Sequence, residues 1–174
     1  MQLNDQAIPF SLPGTDNQQY ALSDYADKAA VAIIFSCNHC PYVLAWEDRM
    51  IQIQADYADQ GVQLVLINAN DAAKYPTDSF PAMQTHAAQK GFNFPYLHDE
   101  TQEVATAFGA TRTPEVFLFD GDGALKYHGT IDDNYEDPGA VKSQYFRDAL
   151  DAVLAGSAPA VGSTPPVGCT IKWK

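Results

Sequence analysis

Two cysteines stand two residues apart in Cys37-Asn38-His39-Cys40, directly after the apolar run Val31–Phe35 and before Pro41. Thiolate, and not thiol, is the nucleophile in sulfur exchange. A C-x-x-C pair at a helix start can bring a cysteine pKa from about 8.5 down to roughly 3.5–7. The pattern places Cys37 just outside a helix N-terminus and Cys40 in its first turn. Unpaired N–H groups and the positive dipole end stabilise an anion there. An easily ionised Cys37 and a pair able to close a disulfide are therefore expected. His39, inside the dipeptide, is placed to stabilise the Cys37 thiolate by charge or hydrogen bonding. The plainer alternatives are two core cysteines and a solvent-facing histidine.

Cys169, near the C-terminus, makes three cysteines in all, and an odd count excludes a fully paired disulfide framework. It reads either as a free thiol in a docked tail or as a further redox partner of Cys37 or Cys40. A metal reading would join Cys37 and Cys40 to a distant histidine: His86, His98 or His128. A closed zinc site would need a second ligand cluster, and the chain has neither another C-x-x-C nor an H-x₃-H, so no metal and no bound cofactor are expected. The acid-rich pieces Asp71–Asp78 and Asp132–Asp137 read as solvated loops and helix caps. Gly121-Asp122-Gly123 is a hairpin turn and not a phosphate loop, because no helix follows it.

The elements that must hold the pair are an alternation of strands and helices. Val31–Phe35 is apolar on both faces, the mark of a central buried strand. Val43, Trp46, Met50, Ile53 and Tyr57 recur at helical spacing and end at Gly61. Val62–Ile67 is a second buried strand. The turn-rich Asn68–Ser79 is longer than a minimal connection and is a candidate for function. Helices at 81–90 and 101–108 bracket a short strand at 94–97. Glu115–Asp120 and Ala124–His128 form a hairpin. Asp137–Pro138 starts a last helix with Val141, Tyr145, Ala149 and Val153 inward. Before all these, residues 1–29 suit a short hairpin and a helical turn near Leu22–Tyr25. The order implies a mixed sheet with helices on both faces. Residues 1–155 make one domain. Residues 156–174 make a linker-like tail whose Ile171 and Trp173 suggest a docked end.

The net charge of −12 argues against nucleic acid and anionic membranes as partners, since both are polyanions. No apolar run reaches the roughly 20 residues that span a bilayer. The first residues lack a basic start and an apolar stretch, so a cytoplasmic protein is expected. In that compartment a C-x-x-C pair is more often catalytic or metal-binding than structural.

With Cys37-Asn38-His39-Cys40-Pro41 at the strand–helix junction and Thr113-Pro114 ahead of the hairpin, the chain resembles the thioredoxin superfamily. The N-terminal extension and the insertion at 68–91 resemble its peroxiredoxin-like, AhpC/TSA-type branch. So do C-N-H-C-P-Y-V, N-D-A-A-K-Y-P-T-D-S, F-P-Y-L-H-D-E, T-P-E-V-F-L-F-D and the terminal G-C-T-I-K-W. The resemblance implies an α/β thioredoxin-like fold with an N-terminal β-hairpin extension. It implies an exposed attacking thiol at Cys37, a buried resolving thiol at Cys40, and a cis-proline at Pro114 preceded by Thr113. The implied activity is thiol–disulfide exchange on a protein or small-molecule disulfide, with electrons from another dithiol system. An exposed cis-proline loop would offer hydrogen bonds to a peptide. His39 would then make the pair more oxidising than thioredoxin, between about −270 and −120 mV on the scale of known pairs. Hydroperoxide reduction by Cys37 is the alternative, and a non-enzymatic metal-binding or redox-sensing module is the third. Peroxidatic sites resemble T-x-x-C, whereas Ile34 stands three before Cys37. Thioredoxin carries a buried acid where this chain has Val31, so the proton acceptor for Cys40 is not identified.

Overall fold

A computed structural model describes residues Met1–Lys174. Strands β1 (Ser11–Pro13) and β2 (Gln19–Ala21) form the N-terminal hairpin, and a 3-10 turn follows at Leu22–Tyr25. Then come β3 (Ala30–Phe35), α1 (Pro41–Tyr57), β4 (Val62–Asn68), α2 (Phe80–Lys90), β5 (Tyr96–His98) and α3 (Glu103–Phe108). The chain continues through β6 (Arg112–Thr113), β7 (Glu115–Asp120), β8 (Leu125–Gly129), α4 (Tyr145–Leu154) and β9 (Cys169–Thr170). The central sheet has the order β5-β4-β3-β7-β8. Its β5, β4 and β3 are parallel, while β7 pairs antiparallel with both β3 and β8.

Strand β3 lies in the middle, and all six of its residues are buried, which is why it reads as apolar throughout. Ala30, Ala32 and Ile34 face one core with Trp46, Met50 and Ile53 of α1, Met83 of α2 and Phe146 and Leu150 of α4. Val31, Ile33 and Phe35 face the other with Leu12, Phe108 of α3, Phe117, Phe119 and Ile171. Burying one such aliphatic or aromatic side chain stabilises by about 1.5–3 kcal/mol, so the sheet fixes the end of β3, where the cysteines begin.

Three expectations shift. Helix α1 begins one residue late, so Cys40 is its N-cap and Pro41 its first helical residue. That position tolerates proline because the lost N–H had no helical partner. The last helix does not start at Asp137. Asp137 caps only a single 3-10 turn, Pro138–Ala140, through Gly139 N–H at 2.9 Å. The next residues bond back to Asp133, whose Oδ1 accepts Lys142 N–H at 2.9 Å and whose N–H donates to the Ser143 carbonyl at 3.2 Å. Helix α4 follows, with Phe146, Ala149 and Leu150 buried. In the tail Ile171 is buried, but Trp173 is exposed.

Residues 156–168 are linker-like in composition, yet part of the stretch is bonded to the edge of β8. His128 N–H donates to the Gly162 carbonyl at 3.1 Å, and Thr164 N–H to the His128 carbonyl at 3.0 Å. The Thr164 hydroxyl meets Thr130 N–H and the Tyr127 hydroxyl, each at 3.0 Å. The tail then reaches β6 and pairs with it as β9, Thr113 opposite Cys169 and Arg112 opposite Thr170.

Candidate active site

The chain leaves β3 through Ser36 and Cys37, turns at Asn38-His39, and enters α1 at Cys40. Both motif sulfurs are free thiols, and they pack with Val43, Tyr42 and Cys169 in one small cluster. Opposite them lies the loop between β6 and β7, where the Thr113–Pro114 peptide bond is cis. Cys40 Sγ lies 3.4 Å from the Thr113 carbonyl oxygen, and Cys37 Sγ 3.5 Å from Thr113 Oγ1. The structure thus brings Cys37, Cys40, Thr113, Pro114 and Cys169 together. It does not expose Cys37, which is 1% accessible.

The turn between the cysteines is held by a buried carboxylate. Asp78 is fully buried and accepts Asn38 N–H at 2.8 Å, Asn68 Nδ2 at 3.2 Å and Asn70 Nδ2 at 3.0 Å. His39 Nδ1 approaches it at 2.7 Å. The Asn38 side chain is fixed at both ends: its amide donates to the Thr77 carbonyl at 2.9 Å, and its oxygen accepts the Tyr96 hydroxyl at 2.7 Å. His39 therefore spends its Nδ1 on Asp78 and stacks beside Tyr75, with ring centroids 6.1 Å apart. The expected side-chain donation from His39 to Cys37 is replaced by its backbone N–H, which favours the Cys37 thiolate.

The electrostatics also depart from expectation. The two sulfurs lie in one small cluster and titrate as a pair, which releases one proton readily and keeps the second. Cys40 is lowered to about 4, first by the Cys37 S–H, against burial, with help from the Cys169 S–H and the nearby N–H groups of Val43 and Cys169. Cys37 is raised by its hydrogen bond to Cys40, by burial and by the Asp78 charge, with the Thr113 hydroxyl and His39 N–H pulling the other way. Cys40 is the helix N-cap, three residues beyond Cys37, and its Sγ lies where an S–H can donate to the Thr113 carbonyl. If the proton passes to Cys40, the Cys40 S–H faces the Thr113 carbonyl and the Cys37 thiolate faces the Thr113 hydroxyl. Each arrangement of the one shared proton has its own partners.

Glu115, directly after Pro114, holds the other wall. It is buried and accepts Thr111 N–H at 2.7 Å and Arg112 N–H at 2.9 Å, while His128 Nε2 lies 2.6 Å from its second oxygen. Burial pushes its pKa up, but His128 and those two N–H groups outweigh it, and the carboxyl lies below its ordinary range. Asp78, Asn68, Tyr96 and Glu115 were not singled out in the sequence. The readable signal was a charge or amide at the ends of otherwise apolar strands, as in L-I-N and P-E-V-F.

Three acids assigned to solvated loops are buried instead. Besides Asp78, Asp71 is buried and accepts Ala73 N–H at 3.0 Å. Asp132 accepts Trp46 Nε1 at 2.9 Å and Arg49 Nη1 at 2.7 and 2.9 Å. Arg49 also holds the Asn134 and Tyr135 carbonyls, which sets the Tyr135 ring 4.4 Å from Tyr42 beside the cysteines. None of the distant histidines joins the pair: His86 meets Glu47 at 2.5 Å, His128 meets Glu115, and His98 stacks on Phe80. Cys37, His39 and Asp78 bring donor atoms within 4.8 Å of one another, but the Asp78 oxygens there already take the four contacts given above.

A model of the AhpC/TSA family matches residues 3–128. Over its full length the chain is similar to a solved protein from Sinorhizobium meliloti 1021, with 36% identity, a TM-score of 0.93, and coverage of 100% of this chain and 96% of that one. A conserved protein from Geobacillus kaustophilus gives 42% identity and a TM-score of 0.94, covering 99% of this chain and 93% of that one. Among curated relatives, thiol-disulfide oxidoreductase ResA of Geobacillus thermodenitrificans is 25% identical over 122 residues, covering 69% of this chain. The chain spans 64% of that relative's length.

Proposed function

Because the chain belongs to the AhpC/TSA family, we propose that it is a thiol–disulfide oxidoreductase that cycles Cys37 and Cys40 between dithiol and disulfide. The observation that carries this reading is the pair of free sulfurs packed together, each in contact with Thr113 of the cis Thr113–Pro114 bond. The proton on Cys37 passes to the Cys40 thiolate. Cys37 then attacks one sulfur of a substrate disulfide, forming a mixed disulfide and expelling a substrate thiolate. Cys40 loses its proton to that leaving thiolate and attacks Cys37 Sγ, which closes Cys37–Cys40 and releases the second half of the substrate as a thiolate that takes its proton from water. Two electrons leave the protein, and an external dithiol restores them.

The pairing of β6 with β9 bears on the substrate. The edge beside Thr113 that would pair a polypeptide is taken by this chain's own tail, so a small disulfide fits the site better than an extended peptide. We also propose a reducing compartment such as the cytoplasm, where a C-x-x-C pair is more often catalytic than structural, and a role in redox homeostasis. A second reading, hydroperoxide reduction by Cys37, is favoured by the family match and by the Thr113 hydroxyl beside Cys37 Sγ. Turnover with a small disulfide against turnover with a hydroperoxide, each driven by a dithiol, separates the two. Loss of disulfide turnover in both Cys37→Ser and Cys40→Ser supports the first. Retention in Cys40→Ser with peroxide alone supports the second.

A further inference from the structure

Cys169 is half-buried and lies closer to solvent than Cys37 or Cys40, both of which are buried. It reaches them because β9 pairs with β6 and sets it opposite Thr113, the residue whose carbonyl meets Cys40 Sγ. The approach is close: a Cβ on Gly168 would fall 2.0 Å from the Thr113 carbonyl oxygen. Only glycine lets the strand sit there. The tail is tied down on either side, by Ile171 N–H to the Thr111 carbonyl at 3.0 Å and by Arg112 Nη1 to the Gly168 carbonyl at 2.8 Å.

We propose that Cys169 is a third redox residue, which takes the disulfide from the more deeply buried Cys37–Cys40 pair and passes it to an external thiol reductant. The proposal rests on the reading that Cys37 and Cys40 cycle. The Cys169 thiolate attacks Cys40 Sγ of the oxidised pair. The Cys40–Cys169 bond forms, the Cys37–Cys40 bond breaks, and Cys37 leaves as thiolate and takes up the proton that Cys169 lost. A dithiol then attacks the accessible Cys169 Sγ, expels the Cys40 thiolate, and closes its own disulfide to free Cys169. No other oxidant or reductant is needed.

In the dithiol state Cys169 is held as a thiol, pushed up to about 11 by burial and by hydrogen bonding and charge from Cys40, while Lys172 and Arg112 oppose the rise. Oxidation of Cys40 to a disulfide removes its negative charge and leaves the two cations. Burial still raises Cys169, but the attacking thiolate is easier to form once the pair has been oxidised.

Three full-length variants test this. In Cys37→Ser, one equivalent of diamide should join Cys40 to Cys169 within one chain, read by peptide mapping without reductant. Finding both thiols still alkylatable, or joined only between chains, would overturn the proposal. In Cys169→Ser and in Gly168→Val, whose new side chain displaces β9, the Cys37–Cys40 disulfide should still form. Its reduction by dithiothreitol should slow about tenfold in both. Wild-type reduction rates in these two would sink the relay while leaving the Cys37–Cys40 cycle intact. Failure to form Cys37–Cys40 in any chain would instead remove the parent reading, and the relay with it.

Discussion

Asp78 and Asn38, forty residues apart, meet through a 2.8 Å hydrogen bond from the Asn38 backbone N–H to a fully buried carboxylate. That contact links the 68–79 insertion to the turn between the two cysteines, and it gives the loop a positioning task. Asp78→Ala should cost more than a surface change. Asn38 N–H, Asn68 and Asn70 would lose their acceptor, and each unpaired buried donor costs about 1–3 kcal/mol. Urea denaturation should show a loss of at least about 2 kcal/mol; a change within error would mean that the loop does not hold the turn.

The shared proton predicts an acid titration. Ultraviolet thiolate absorbance should rise with a midpoint near pH 4, matching the lowered member of the pair at about 4. Cys40→Ser should abolish this step, because the remaining Cys37 is buried and faces Asp78. Persistence of the acid step in Cys40→Ser would place the thiolate on Cys37.

Glu115 sets the acid limit of the wall beneath Pro114. Its folded pKa is depressed, so its contribution is present above the ordinary glutamate value of about 4.3 and is lost as pH falls through the folded value. Glu115→Gln should therefore be less stable than wild type at pH 7, by roughly 1–3 kcal/mol, and the gap should close below about pH 4. A gap independent of pH would contradict the assignment. Glu47 has the opposite sign. Burial raises its pKa despite His86, so the stability it gives is full below the ordinary glutamate value and declines as pH rises through the folded one.

Asp132→Ala should leave Arg49 without its carboxylate in a largely buried site. Breaking such a pair from one side costs about 3–5 kcal/mol. The fall in Tm should exceed that of Arg147→Ala, whose partner Asp56 is exposed. Equal shifts would mean that the Arg49–Asp132 pair is not structural.

The sheet, α1 and the cysteine pair were legible because they are written in local pattern. Val31–Phe35 is apolar at every position, α1 repeats its stripe at three and four, and C-x-x-C with Thr113-Pro114 is a motif. What was missed depends on distant partners. Asp78 reads as one more loop acid until Asn38, Asn68, Asn70 and His39 surround it, and Glu115 needs His128 from the neighbouring strand. Asp137–Pro138 carries a genuine helix-start pattern, but Asp133 captures Lys142 and Ser143 and delays α4. The expectation that a helix start favours an anion at Cys37 meets a helix that begins one residue later, with Cys40 as its N-cap.

On the proposed cycle, Cys37 and Cys40 form a reversible disulfide. Equilibrating the protein across thiol–disulfide buffers of graded potential, then mapping the alkylated cysteines, tests it directly. The Cys37 and Cys40 thiols should be lost together at a midpoint between about −270 and −120 mV. Both thiols remaining alkylatable in the most oxidising buffer would contradict it.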